Sequence, residues 1–163
     1  MRRNPSLKGQ PFLDTLDQRI LSEVQRDCAM SAARLAEMCG TTESTALRRL
    51  KRLRRDGVIR GEVALVDGQK LGRGLLLFVS VRLEREDGGS VKAFLDGIIK
   101  YPGVMQMYFV TGSADYIIML SLRSMAEYDA FLQQHLVPNP VVIMSDTNVV
   151  IKALKMSLAI PIE

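Results

Sequence analysis

Between Arg48 and Arg60 the chain carries seven basic side chains, Arg48, Arg49, Lys51, Arg52, Arg54, Arg55 and Arg60, against a single carboxylate, Asp56. Guanidinium and ammonium groups at this density do electrostatic chemistry. They neutralise a polyanion, and an arginine fork can also engage guanine O6 and N7 together. The spacing determines how they are displayed. Ala46, Leu50 and Leu53 recur at i, i+4 and i+7, so on a helix running from Thr41 or Thr42 to Asp56 one face packs. Arg48, Lys51, Arg52 and Arg55 then project from the other, and Gly57 stops the helix before an extended start at Val58 and Ile59.

A shorter helical pattern precedes it. Ser31 has the character of an N-cap, Leu35, Ala36 and Cys39 form an apolar face, and Gly40 supplies the left-handed residue that ends the helix. Two helices joined by a short glycine-containing turn, the second one basic and amphipathic, match helix-turn-helix geometry, in which the second helix enters the major groove by its N-terminal end. Position then assigns roles. Thr42, at the cap, is counted among the DNA contacts, Ser44, Thr45 and Arg48 can reach base edges, and Arg49, Lys51, Arg52, Arg54 and Arg55 suit phosphates. Upstream, Leu13, Leu16, Ile20, Leu21 and Val24 predict a first helix with Asp14 and Asp17 near its positive end. Residues 1–12, with Pro5, Gly9 and Pro11, show no periodicity and are read as a flexible basic arm.

Charge divides the chain. Residues 1–60 hold 13 Lys/Arg against 7 Asp/Glu, a net of +6, and residues 61–163 hold 9 against 11, a net of −2. Such asymmetry separates a part that meets nucleic acid from a part with another task. At 163 residues, 47% apolar and 25% charged, the composition is that of a globular protein. No apolar run approaches the roughly 18 residues of a membrane span, and MRRNPSLKGQPF lacks a signal peptide's apolar core. The expectation is a cytoplasmic protein without a membrane partner.

Cys28 and Cys39 have neither CxxC spacing nor a histidine cluster, so neither a metal site nor a redox pair is expected, and Cys39 is read as a small buried hydrophobe. The one histidine, His135, falls between Leu132 and Leu136 and is read as structural. With no Ser-His-Asp or Cys-His set, HExxH or phosphate loop, the expectation is no catalytic residue, no cofactor and no enzyme.

After GEVALVDGQKLGRG, read as a hinge over residues 61–74, strand and helix patterns alternate. Leu75–Glu84 reads as a strand. Val91, Phe94, Leu95, Ile98 and Ile99 give the inward face of a helix from near Ser90. Met105–Thr111 and Tyr116–Leu122 flank a hairpin turn at Gly112-Ser113-Ala114-Asp115. Met125, Tyr128, Phe131, Leu132 and Leu136 are expected inward on a helix ended by Pro138 and Pro140, and Thr147–Met156 is a last strand. The order β-α-β-β-α-β predicts an α+β, ferredoxin-like domain, an antiparallel sheet with both helices on one face. Strands as apolar as LLLFVSV and YIIMLSL need cover on the other face, which a second copy of the chain would provide.

Taken together, LDTLDQRIL, SAARLAEMCG, LRRLKRLRRDGVIRG, VTGSADYIIML and NVVIKALK resemble the leucine-responsive/asparagine-responsive (Lrp/AsnC) family of transcription regulators over roughly residues 13–160. The resemblance implies a winged-type helix-turn-helix domain at 13–60 and a ligand-sensing ferredoxin-like domain at 75–160. It also implies dimerisation through the sheets, further assembly to tetramers, octamers or hexadecamers, and a small-molecule effector, usually an amino acid, bound between subunits. Carried over, the effector site is Gly112, Ser113 and Asp115, flanked by Thr111 and Tyr116, with Tyr108 a further candidate. A glycine turn exposes N–H groups to a carboxylate and an aspartate can hold an ammonium. The plain alternative is a hairpin turn in which Asp115 caps its own backbone.

Where the family usually carries an aromatic residue after the glycine that follows the basic helix, Gly61 is here followed by Glu62. Thr42 also lacks a Glu or Gln three residues on. With Gly112-Ser113-Ala114-Asp115 the turn offers no basic side chain, which favours an apolar, small polar or basic effector over an acidic one. Two other classes share the architecture or the charge: sirohaem decarboxylases, which look to depend on histidines, and DNA-compacting proteins with little sequence preference.

Overall fold

The computed structural model describes residues 13–84 and 88–162; the basic arm at residues 1–12 lies outside them. The chain forms two compact units, one of residues up to 65 joined by the C-terminal segment from Met156, the other Val66–Lys155. The sequence reading kept residues up to 160 within the sensing domain, so the tail is placed differently.

In the first unit α1 (Thr15–Arg26) opens on a reciprocal cap: Asp17 N–H donates to the Asp14 carboxylate at 2.9 Å and Asp14 N–H to that of Asp17 at 3.2 Å. Two otherwise orphaned donors are thereby satisfied. Ser31 caps α2 (Ala32–Cys39), and Gly40 ends it at φ +66°, a left-handed conformation that an L side chain adopts only at a cost. Thr42 caps α3 (Glu43–Arg55) through Thr45 N–H even without a reciprocal acid. Ile20, Leu35, Cys39, Ala46 and Leu53 form the shared core, joined by Val58, Ile59 and Ile162 at its margin. Burial pushes the Cys39 thiol above its ordinary pKa, consistent with an inert apolar role. The tail is fastened to α1 by Gln25, whose amide donates to Ile160 O at 3.0 Å and accepts from Ile160 N–H at 2.7 Å.

In the second unit β1 (Leu75–Leu83), α4 (Gly88–Ile99), β2 (Val104–Phe109), β3 (Tyr116–Leu122), α5 (Met125–Phe131) and β4 (Val142–Val149) build an antiparallel sheet of order β2-β3-β1-β4. This is the expected βαββαβ topology. Alternate residues of β1 and β3, Leu77, Val79, Val81, Ile118, Leu120 and Leu122, are buried with Phe94, Ile98, Tyr128, Phe131 and Leu136, so the helices cover one face.

Three details correct the sequence reading. The last strand runs Val142–Val149 rather than Thr147–Met156, because β1 is only nine residues long and its ladder, from Leu83↔Val142 to Leu77↔Val149, is filled by that segment. The apolar run beyond it stays outside the sheet, with Ile151 fully exposed. Met125 and Ile99, expected inward, are 53% and 62% exposed, each at the end of its helix. Ahead of Pro138 the helix after Phe131 widens into a π turn, Leu132–Leu136, in which Val137 N–H bonds Leu132 O at 2.9 Å.

Candidate functional site: a basic helix face and a glycine turn

On α3, burial of Ala46, Leu50 and Leu53 turns the opposite face outward. There Arg48, Lys51, Arg52 and Arg55 line one shallow concavity, and Ser44 and Leu47 are exposed near the helix start. Thr42 is also exposed, but its hydroxyl is occupied by the cap and by a 2.9 Å bond to Thr45 Oγ1.

Not every arginine is free. Arg49 Nη1 donates to the carboxylates of both Asp14 and Asp17, the latter at 3.2 Å, and Arg52 Nη2 donates to Asp17. Asp17 has no exposed surface, and the Arg49 side chain is only 19% exposed. The phosphate role read for Arg49 is therefore revised: the Asp14 and Asp17 carboxylates at the acidic cap of α1 draw it inside. The Asp17 N–H and the Arg49 guanidinium hold the Asp14 carboxyl below the usual carboxylate range, and hydrogen bonding to Asp14 raises the Arg49 pKa. Arg54 is likewise engaged, donating to Glu62 at 3.0 and 2.7 Å. Glu62, the residue that departs from the family pattern, thus ties the segment after α3 back to that helix.

In the second unit the turn closes with Val110 N–H on Asp115 O at 2.9 Å and Asp115 N–H on Val81 O at 3.0 Å. Gly112 adopts φ +127°, which favours glycine. Asp115 does not cap its own turn: its Oδ2 accepts from Leu83 N–H at 2.9 Å, beside the register shift between Arg82 and Leu83. Thr111, Gly112 and Ser113 are exposed, and Tyr108 donates to Gln106 Oε1 at 2.8 Å. The expectation that no basic group stands at the turn is incomplete. Arg82, from the neighbouring strand, donates to Ser113 O from Nε at 3.1 Å and Nη2 at 2.6 Å. No signal along the sequence joins residues 31 apart; only the β1–β3 register does.

Residues 76–160 match the family model described as the Lrp/AsnC ligand binding domain, and residues 13–60 one described as a winged helix-turn-helix DNA-binding domain. The chain belongs to the Lrp/AsnC family of transcription regulators. A helix-turn-helix transcriptional regulator of Sinorhizobium fredii is 36% identical over 93% of this chain and 89% of its own. Among solved structures, a Neisseria meningitidis transcriptional regulator in complex with L-methionine superposes with a TM-score of 0.87 at 27% identity, over 92% of this chain and 97% of the other. An AsnC family regulator from Agrobacterium tumefaciens gives 0.85 at 28% identity, over 91% and 97%.

This Lrp/AsnC protein is accordingly a helix-turn-helix transcription regulator with a ligand-binding domain. No helix among its described residues is long and apolar enough to cross a membrane. His135 lies among Tyr101 and Phe131, ring centroids 5.3 and 5.2 Å away, with Nε2 buried and making no hydrogen bond. Burial lowers its pKa, and its surroundings are those of a core residue.

Proposed function

We propose that this regulator binds a specific operator as a cytoplasmic homodimer and that an amino acid bound at the 112–115 turn modulates its DNA binding. The observation that carries the reading is the pairing, on one helix, of a buried stripe with a concavity lined by Arg48, Lys51, Arg52 and Arg55, directly after the left-handed Gly40. In the proposed complex Ser44, Thr45 and Arg48 face base edges, and Lys51 and Arg55 hold phosphates together with the exposed edge of Arg52. Arg49 is instead a positioning residue that locks α1 to α3.

The dimer reading rests on the sheet face away from the helices. Register and alternation put Leu76, Phe78, Ile117, Met119, Tyr108 and Met144 on that face, where Phe78, Tyr108 and Met144 are 37%, 52% and 50% exposed. The effector reading draws on the L-methionine complex of the Neisseria relative and on the turn's geometry. A ligand acts only through different affinities for two arrangements, so the effector must favour one placement of the two α3 helices over another.

Gel shifts with operator and scrambled DNA across a salt series test the DNA half. A dimer neutralising roughly six phosphates, about three per helix, should give log affinity falling against log salt with a slope of about −5, and the operator should be preferred at moderate salt. A slope near zero, or no preference, rejects the reading.

A further inference from the structure

The charges around the 112–115 turn specify more than a generic amino acid. Among the described residues the amides of Gly112, Ser113 and Ala114 find no acceptor, which leaves three N–H groups for an anion. Asp115 spends Oδ2 on Leu83 N–H and keeps the other oxygen for a cation. These two features lie within one turn. They suit the α-carboxylate and α-ammonium of one amino acid, which sit on a single carbon.

Arg82 is then left over. It is exposed, it is held at the turn by two bonds to the neutral Ser113 carbonyl, and among the described residues no carboxylate pairs with it. Nε and one Nη proton are used on Ser113, so the other N–H groups of the fork remain available. Arg82 also comes next along β1 after the ladder pair Val81↔Tyr116, which sets it beside Asp115, the turn residue just ahead of β3. A guanidinium fixed in this way, with spare parallel donors, matches a carboxylate in charge and geometry.

We propose that the effector is an amino acid with a second carboxylate in its side chain, and that Arg82 holds that carboxylate. The proposal rests on the reading of the turn as an amino-acid site and makes it specific. An amide side chain of the same shape would leave the guanidinium without a counter-charge, which is why acid and amide should be told apart here.

The test is isothermal titration of the full-length protein with L-glutamate, L-glutamine, L-aspartate, L-asparagine and L-leucine, repeated with R82Q and R82K. The wild type should bind one of the two acids at least ten-fold tighter than its amide. R82Q should lose that preference by weakening the acid and sparing the amide, and R82K, which keeps the charge, should retain part of it. Equal affinity of acid and amide for the wild type overturns the proposal without any variant. So does an R82Q protein that loses both alike, since Arg82 would then only brace the turn. Tight binding of L-leucine or an amide with no acid preference leaves the amino-acid reading standing and removes this one. Binding of none of the five removes both.

Discussion

Asp17 has no exposed surface and receives hydrogen bonds from Asp14 N–H, Arg49 and Arg52, so it is the hub through which α1 is fastened to α3. Removing one member of a buried ion network costs more than the network contributes, because the remaining charges lose their partner. Asp17→Ala should therefore destabilise the DNA-binding unit by about 3 kcal/mol, the lower end of the range for buried pairs, since both arginines retain some access to water. Denaturant unfolding measures this; an unchanged midpoint would mean that the network is dispensable. Arg48 and Arg55 make no such internal link to α1, and they should separate cleanly in DNA binding. Arg48→Ala should relax base preference, whereas Arg55→Ala should weaken all sequences alike and make the salt slope about one unit shallower per helix. Equal effects on operator and scrambled DNA would remove Arg48 from the base-facing group. The helix that carries these residues was legible from its charge and its Ala46-Leu50-Leu53 stripe. Which arginines point inward was not, because that depends on two aspartates at the far end of another helix.

At the level of elements, short-range pattern defined the helices and long-range pairing defined the strands. The caps at Asp14, Ser31 and Thr42 and the stop at Gly40 are decided within four residues of themselves, so the first unit follows its sequence closely. For β4 the apolar content of residues 147–156 was misleading, because the limit is set by the length of β1, more than 60 residues away in the chain. The π turn at Leu132–Leu136 shows the same dependence on context, and it carries a titratable group. His135 is enclosed by Tyr101 and Phe131, its Nε2 has no hydrogen bond, and burial holds its pKa below the ordinary histidine range. The folded protein therefore takes up this proton less readily than the unfolded chain. Stability is complete above the unfolded value of about 6.5 and declines as pH falls toward the lower folded value. Thermal melts should show a falling Tm below about pH 6.5, and His135→Leu should flatten that slope. Asp14 would not confuse the result. Its folded pKa is depressed, so its contribution is lost only as pH falls below the usual carboxylate range near about 4. A slope unchanged in the leucine variant would place the proton elsewhere.

For the whole molecule, one chain offers one basic helix, and the second unit is what supports the proposed partner copy. Helices cover one face of its sheet. On the other, Phe78 faces Met119 across β1 and β3, and Tyr108 faces Ile117 across β2 and β3, amid polar Ser80, Gln106, Asp146 and Asn148. A surface of this mixed character suits an isologous interface, where the same patch meets its own copy about a two-fold axis. Two α3 helices related by such an axis would read half-sites about 34 Å apart, or a multiple of that, on a roughly palindromic operator. The second helix would also convert a weak single contact into an intramolecular one, worth roughly a hundred-fold or more in affinity. Phe78→Asp and Met119→Glu place like charges against each other at the centre of that patch while leaving the DNA-binding unit untouched. Both variants should run as monomers in size-exclusion chromatography with light scattering, keep the wild-type helix signal, and bind operator DNA about a hundred-fold more weakly, with a salt slope near half the dimer's. If they remain dimeric and bind as the wild type does, the copies meet through another surface, and the spacing argument must be rebuilt from that one.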